Sequence, residues 1–297
     1  MRKAQQEKLI TNTIRIAGSS SILFILLIFF FLMREGLPAL AEVKLSELFS
    51  IRWYPIEDMY GILPLLSGSL IVTVFSILIA LPLGAGTAIY IGEIAPRKVN
   101  EILKPTIEIL AGIPSVVLGF LGILVLSPFM RETFNLPTGL TAFTGAFLLA
   151  LISIPTIVSI AEDALYAVPN TYRDAAYALG ASKWQVIWRV SLPAAKSGIL
   201  TAVMLGVGRS LGETMAVMMV TGNAPTVFSG LDSFIAPVRT MTATIASEMG
   251  EVATGSLHYR ILFFIGIILF VFSLVINISS SKSLSKVSSK NRAKMVS

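Results

Sequence analysis

The 297-residue chain is 55% hydrophobic and only 13% charged, about half the charge of an average soluble domain, which excludes an ordinary water-soluble enzyme and points to an integral membrane protein. It has no cysteine and one histidine, His258, so a disulfide framework, thiol chemistry, a cysteine-ligated metal and a histidine-based metal cluster or triad are all excluded. The net charge of +6 lies in loops and tails flanking apolar runs, a pattern of membrane topology rather than of nucleic-acid binding.

Arg2, Lys3, Lys8 and Arg15 precede a first apolar run from Ile16 to Met33. Residues 1–33 therefore read as a cytoplasmic amino terminus and a first span. A cleaved signal peptide is the alternative, with Ala39-Leu40-Ala41 as the small-residue site. The apolar run exceeds the usual signal core of about 7–15 residues and the site lies well past its end, which favours an uncleaved span. Residues 34–64 are net acidic and extracytoplasmic, and Trp53, Tyr54 and Tyr60 fit a membrane-interface belt.

A second span is expected from Leu65 to Ile91, then a positive inner loop with Arg97, Lys98 and Lys104. The third span runs from Pro105 to Phe129, bent at Pro114, with Gly112, Gly119 and Gly122 allowing close helix approach. The fourth runs from Thr141 to Ala161 with a bend at Pro155. Residues 162–196 form a hydrophilic inner excursion, Gly198–Gly222 the fifth span, Asn223–Arg260 an outer loop, and Ile261–Ile278 the sixth span. The serine-rich basic tail, 282–297, is expected to be disordered and drawn to anionic lipid. Six spans with both ends inside satisfy the charge rule, giving an all-α membrane fold with a five-helix core over 65–281.

Arg209 and Glu213 stand at the middle of the fifth span. At roughly 1.5 Å of rise per residue, Arg209 is on the order of 16 Å from either end, too deep to snorkel. Such a charge faces protein or a water-filled path. Glu213 follows by four positions, so on a continuous helix the two share a face and can pair. Two readings stay open. In one, the planar Arg209 fork meets an oxyanion and Glu213 tempers its grip, with Ser210 and Thr214 adding hydrogen bonds and Ser115 a weaker candidate. In the other the pair is an inert salt bridge. Glu108, Glu162 and Asp163 near inner helix ends read as solvated carboxylates. Arg239, Glu248, Glu251, His258 and Arg260 share the outer face, where an extracytoplasmic partner docks.

Within the inner excursion, Pro169 suits a helix start, the alanine-rich run continues it and Gly180 can end it in a left-handed cap. Ser182 can cap a second helix, Lys183 to Val190, limited by Pro193. The result is a rigid lug with small residues on its surface.

Asp174-Ala175-Ala176, then Gly180, then Leu192-Pro193 resemble the EAA loop of MetI-like ABC importer permeases, with Asp174 where the family has Glu. The resemblance implies a loop, with Arg173, Asp174, Ala175, Ala176 and Gly180, that docks on a separate ATPase subunit. No G-x-x-x-x-G-K-[ST] phosphate loop occurs in the chain, so the resemblance implies that ATP and Mg are bound by that partner and no cofactor by this chain, which is not itself an enzyme.

The runs Gly208-Arg209-Ser210-Leu211-Gly212-Glu213-Thr214-Met215-Ala216, Ala111 to Gly119 and Ala236 to Ala246 resemble phosphate-specific (Pst) permeases. Met215-Ala216-Val217 matches the PstC type rather than the PstA type. The resemblance implies inorganic phosphate import across the bacterial inner membrane with a PstA-type permease, a PstB-type ATPase dimer and a PstS-type binding protein. Another oxyanion such as sulfate or molybdate remains the alternative substrate, because a guanidinium fork does not choose among tetrahedral anions. Two other classes stay open: a secondary transporter, which would need coupling-ion sites and commonly an internal repeat, and a non-transporting membrane scaffold.

Overall fold

The computed structural model describes residues 2–227 and 229–296, without the side chains of residues 2–9, 231–232 and 279–296. Among these, six helices are long and apolar enough to cross a membrane: Ile10–Glu42, Leu63–Ile94, Ser115–Thr133, Ala142–Tyr166, Lys183–Gly212 and Leu257–Ile278.

The first helix, α1 (Arg2–Gly36), packs along the last, α14 (Leu257–Val296). A Cβ at Gly36 would lie 2.9 Å from the backbone of Phe263 and Phe264, so only glycine permits this approach, and the ring pairs Phe29–Phe270 and Phe31–Phe263 continue the seam. α14 runs on to Val296 where a disordered tail was expected. Neither Gly nor Pro occurs after Gly266, so nothing local stops the helix. The tail's side chains lie outside the described residues.

After α1 come two single turns, α2 (Ala39–Glu42) and α3 (Leu45–Leu48), and a small antiparallel hairpin, β1 (Trp53–Tyr54) with β2 (Met59–Tyr60). Its turn places Asp58 in the left-handed region, φ 54°, a conformation that Asp tolerates through local hydrogen bonding. The expected interface belt is not found here. Trp53 is only 3% exposed, and with Tyr60 it packs on Leu48, Ile62, Met241, Ile261 and Leu262. The hairpin folds back over the start of α14, so these rings fill a core; Tyr54 alone stays exposed.

The bundle centre is built from α4 (Leu63–Ile89), α8 (Ala142–Tyr166) and α11 (Leu192–Gly212). Ile157 of α8 fits between Gly84 of α4 and Gly206 of α11; a Cβ at either glycine would meet its side chain at 2.9 and 2.7 Å. Small residues let backbones approach in lipid, where packing rather than hydrophobic contrast holds helices together. Pro155 lies inside α8 without breaking it.

The third span differs from its expected course. α5 (Arg97–Gly112) is an amphipathic helix whose Leu103 and Ile107 pack on Ile91, Val158 and Ala161. Ile113 and Pro114 are extended, and α6 (Ser115–Leu121), a π turn over Gly122–Leu126 and α7 (Ser127–Thr133) then cross the bundle. Pro114 ends a helix rather than bending one, because its ring drives Ile113 out of the α region. The crossing therefore starts at Ser115, not Pro105.

The segment between α8 and α11 holds α9 (Asn170–Ala178) and α10 (Lys183–Val186). Chain from α10 through a π turn, Ile187–Ser191, continues directly into α11. Pro193 does not limit it: it sits in the first turn of α11, just beyond the wider turn, where its missing N–H and its ring meet no obstacle. The fifth span thus lies closer to the amino end than expected and stops at Gly212. Glu213 is extended, and a separate short helix, α12 (Met215–Val220), lies against α6. Finally α13 (Met241–Glu248) starts at Thr240, whose hydroxyl accepts the Ala243 N–H.

Candidate functional site

Arg209 occupies the last turn of α11. Among the described residues the hydrogen-bond partner of its guanidinium is the Thr156 hydroxyl of α8, which accepts from Nη1 at 3.0 Å. Arg209 and Glu213 do not form an ion pair. The four-residue spacing places two side chains on one face only while the helix continues, and here it ends between them. Glu213 instead accepts the backbone N–H groups of Thr214 at 3.2 Å and Ala216 at 3.4 Å through Oε1, which caps α12. Two glycines four apart, Gly208 and Gly212, weaken the final turn of α11, and the carboxylate favours a new start.

Ser210 is enclosed and bonds across three helices: its Oγ lies 3.0 Å from Ser76 Oγ of α4 and 2.9 Å from Ser153 Oγ of α8. Thr214 donates to the Gly212 carbonyl at 3.2 Å, so its hydroxyl serves its own backbone. Ser115 opens α6. Beside the trio is a narrow crevice of about 10 Å³ lined by Ser69, Thr73, Ser210, Glu213, Thr240 and Thr242, room for about one water. Thr242 donates to the Glu213 carbonyl at 3.1 Å, and Ser69 Oγ accepts the Met241 N–H at 2.8 Å.

Sequence reasoning missed Thr156, Ser76 and Ser153. The available signal was a hydroxyl in each facing apolar run, because a buried hydroxyl within a span finds a partner. Chemically, the arrangement offers a half-buried guanidinium fork held by a neutral hydroxyl, with no carboxylate paired to it among the described residues. Such a group attracts an anion.

At the 167–182 end, α9 stops at Leu179 and Gly180, whose φ of +81° is the left-handed cap the sequence indicated. Ser182 and Gln185 form a reciprocal capping box at α10. Asp174, Ala175 and Gly180 are exposed, Ala176 is half-buried and Leu179 is 89% exposed at the tip, flanked by exposed Tyr172 and Tyr177. Arg173 faces inward. Its Nη1 donates to the Val168 carbonyl at 2.7 Å and Asn170 Oδ1 at 3.2 Å. Its Nη2 donates to Glu93 Oε1 at 2.7 Å and the Leu165 carbonyl at 2.9 Å.

Nearby, Glu162 is not the solvated carboxylate expected: it is 5% exposed and accepts from Lys104 Nζ at 2.8 Å. The α5 helix, folded against α8, covers it. That hydrogen bond, with the Glu162 and Asp163 charges, holds the Lys104 ammonium above its ordinary range against the opposing effect of burial. Glu108 and Asp163 are exposed as expected.

At the hairpin end, Arg239 Nη2 lies 2.7 Å from Glu248 Oε1, and the other carboxylate oxygen is 2.8 Å from His258 Nε2. Trp53 Nε1 donates to Glu248 at 3.2 Å. These groups enclose one another, and the side chains of Arg239, Glu248 and His258 are largely buried. Glu251 is exposed, and Arg260 pairs with Glu42. Burial, with Asp58 and then Glu248 nearby, pushes the Tyr60 hydroxyl up to about 12. Among the described residues no group of three or more His, Cys, Asp or Glu could hold a metal ion.

Residues 80–283 match the family described as binding-protein-dependent transport system inner membrane component. The chain is 41% identical over 239 residues to the probable ABC transporter permease protein YqgH of Bacillus subtilis, covering 78% of this chain and 76% of that one. It is 38% identical over 257 residues to the phosphate transport system permease protein PstC of Mesorhizobium japonicum, covering 80% and 77%. Among solved structures, a bacterial alginate ABC transporter complexed with its periplasmic protein aligns with a TM-score of 0.61 at 15% identity, over 90% of this chain and 92% of that one. The MetNI methionine ABC transporter aligns at 0.56 and 20%, over 76% and 94%. At those identities the likeness establishes the fold. With the family match spanning most of the chain and relatives above 30% identity over three quarters of it, the protein belongs to the family of inner membrane permease components of binding-protein-dependent ABC transport systems.

Proposed function

We propose that this chain is the PstC-type permease subunit of an ATP-driven importer of inorganic phosphate in the bacterial inner membrane, with both termini cytoplasmic. The observation that carries the reading is Arg209: a guanidinium inside the bundle, half-buried, tied to a hydroxyl and leaving its remaining N–H edge for an oxyanion. Nη1 is engaged by Thr156, so the Nε and Nη2 edge has the spacing for two parallel bonds to phosphate oxygens. The relatives named for phosphate transport agree with this substrate.

Glu213 sets the break between α11 and α12 and faces the hydroxyl-lined crevice; Ser210 and Thr214 stabilise the same break and helix junction. The α9 loop, with Asp174 and Ala175 exposed on the helix, Ala176 beside them and Gly180 at its cap, meets a PstB-type ATPase subunit that binds ATP and Mg, and Arg173 holds that helix from beneath. A PstA-type permease completes the pathway and a PstS-type protein delivers the anion.

Uptake of radiolabelled phosphate into vesicles holding the full complex tests the reading. ATP-dependent uptake that outcompetes sulfate, and that Arg209→Lys lowers at least tenfold, is the expected result. Uptake indifferent to Arg209→Lys removes the fork from the pathway; preference for sulfate reassigns the substrate.

A further inference from the structure

The second apolar helix does not end in an ordinary cap. Its last residues, Tyr90–Ile94, form a π turn closed by the Ala95 N–H on the Tyr90 carbonyl at 2.7 Å. Within that turn Gly92 lies against α8: a Cβ there would meet the Leu165 Cβ at 3.4 Å. Glu93, the next residue, points to the segment between α8 and α11 with its side chain 7% exposed, and the Arg173 side chain it meets is 14% exposed.

A carboxylate buried this far is unfavourable unless a cation compensates it. The same arginine also satisfies two carbonyls, Leu165 and Val168, at the end of α8. The Leu165 carbonyl, which also accepts the Val168 N–H at 3.2 Å, is in the last turn of α8, and Val168 lies just past that helix. One guanidinium therefore joins three pieces: the end of α4, the end of α8 and the first turn of α9.

We infer that Glu93 is a positioning residue for energy coupling, riveting the α9 loop to the second span through Arg173 so that the loop, α4 and α8 move as one body. This rests on the reading of α9 as the ATPase-docking helix. Helix capping alone is the competing explanation of the geometry, and it needs Arg173 but not a charge on Glu93. A polar cavity of about 560 Å³ lies beside the pair, walled by Gly92, Tyr166, Asn170 and Tyr177, while α9 otherwise packs on α10 and the π turn before α11. The pair ties α9 to the end of the second span.

The test uses the full complex with its ATPase and binding protein in vesicles, measuring phosphate taken up per ATP hydrolysed. Glu93→Gln keeps the shape and removes the charge. The expected result is unchanged copurification with the ATPase, unchanged basal hydrolysis, and at least a tenfold fall in phosphate moved per ATP, with Glu93→Asp recovering most of it. A wild-type ratio for Glu93→Gln overturns the inference, and so does loss of copurification, which would make the pair a folding device. Ala175→Arg, on the exposed face of α9, separates the two levels. If that variant still copurifies and transports normally, the docking reading itself falls, whatever Glu93→Gln does.

Discussion

The Arg209 guanidinium, read from the sequence as the natural partner of Glu213, is held instead by the Thr156 hydroxyl on a neighbouring helix, 3.0 Å from Nη1. A hydrogen bond to a charged group is worth about 1.5–3 kcal/mol. Thr156→Val keeps the shape and deletes the acceptor, so phosphate uptake is expected to fall roughly tenfold while expression and ATPase copurification stay normal. Thr156→Ser, which keeps the hydroxyl, is expected to retain most of the uptake.

Glu213 is a cap. Glu213→Ala removes the acceptor for the Thr214 and Ala216 N–H groups, and a lost cap costs about 0.5–2 kcal/mol. Thermal denaturation of the detergent-solubilised complex is expected to show that loss. Glu213→Gln keeps an acceptor oxygen and is expected to lie within about 0.5 kcal/mol of the wild type.

The backbone crossing at Gly68 has no room for a side chain. A Cβ there would lie 2.3 Å from the Arg239 carbonyl oxygen, a clash with main chain that no rotamer relieves. Gly68→Ala is expected to cost about 3 kcal/mol, at the upper end for overpacking, and to reduce folded yield. Gly86, in the same helix, has nothing within 4 Å of its virtual Cβ. Gly86→Ala is expected to be neutral or to stabilise by up to about 1 kcal/mol.

Removing Lys104 leaves Glu162 buried without its cation. Breaking a fully buried pair costs about 3–5 kcal/mol; Lys104 is 45% exposed, so solvent screens part of that and about 1–3 kcal/mol is expected for Lys104→Met. The double variant Lys104→Met/Glu162→Gln is expected to recover most of the loss, measured as a double-mutant cycle of melting temperatures.

Tyr60 gives a pH signature. Its hydroxyl is pushed up from 10.0 to about 12 in the folded chain, so the native state keeps a proton that the unfolded chain releases. The stability this contributes is fully present below pH 10, and it declines as pH rises through 10 towards 12. Absorbance of phenolate at alkaline pH is expected to lag in the wild type by one tyrosine relative to denatured protein, and Tyr60→Phe is expected to remove that lag and the matching fall in stability.

The sequence was legible wherever one local signal decided the outcome. Six apolar runs became six helices, Gly180 took its left-handed cap, and Ser182 found Gln185 three residues on. It was misleading where a distant contact decided. Trp53 and Tyr60 carry the composition of an interface belt, but a hairpin folded over α14 turns them inward. Glu162 looks like any carboxylate at a helix end until α5 lies over it. The Arg209–Glu213 spacing was a sound helical argument applied across a point where the helix stops, and the cap that stops it is the glutamate itself.

A π turn contains one residue more than the α turn it replaces, and each residue of an α-helix turns the chain by about 100°. The turn at Ile187–Ser191 therefore takes up its extra residue in about the same rotation, and the helix on either side keeps a common phase. Excising Val190 would close that turn into plain α-helix and leave Arg209 facing Thr156, whereas excising Val203 from the regular part of α11 would swing it about a quarter of the way round the helix axis. Hydropathy would hardly distinguish the two deletions, yet only the second would part the loop and the guanidinium from their common orientation.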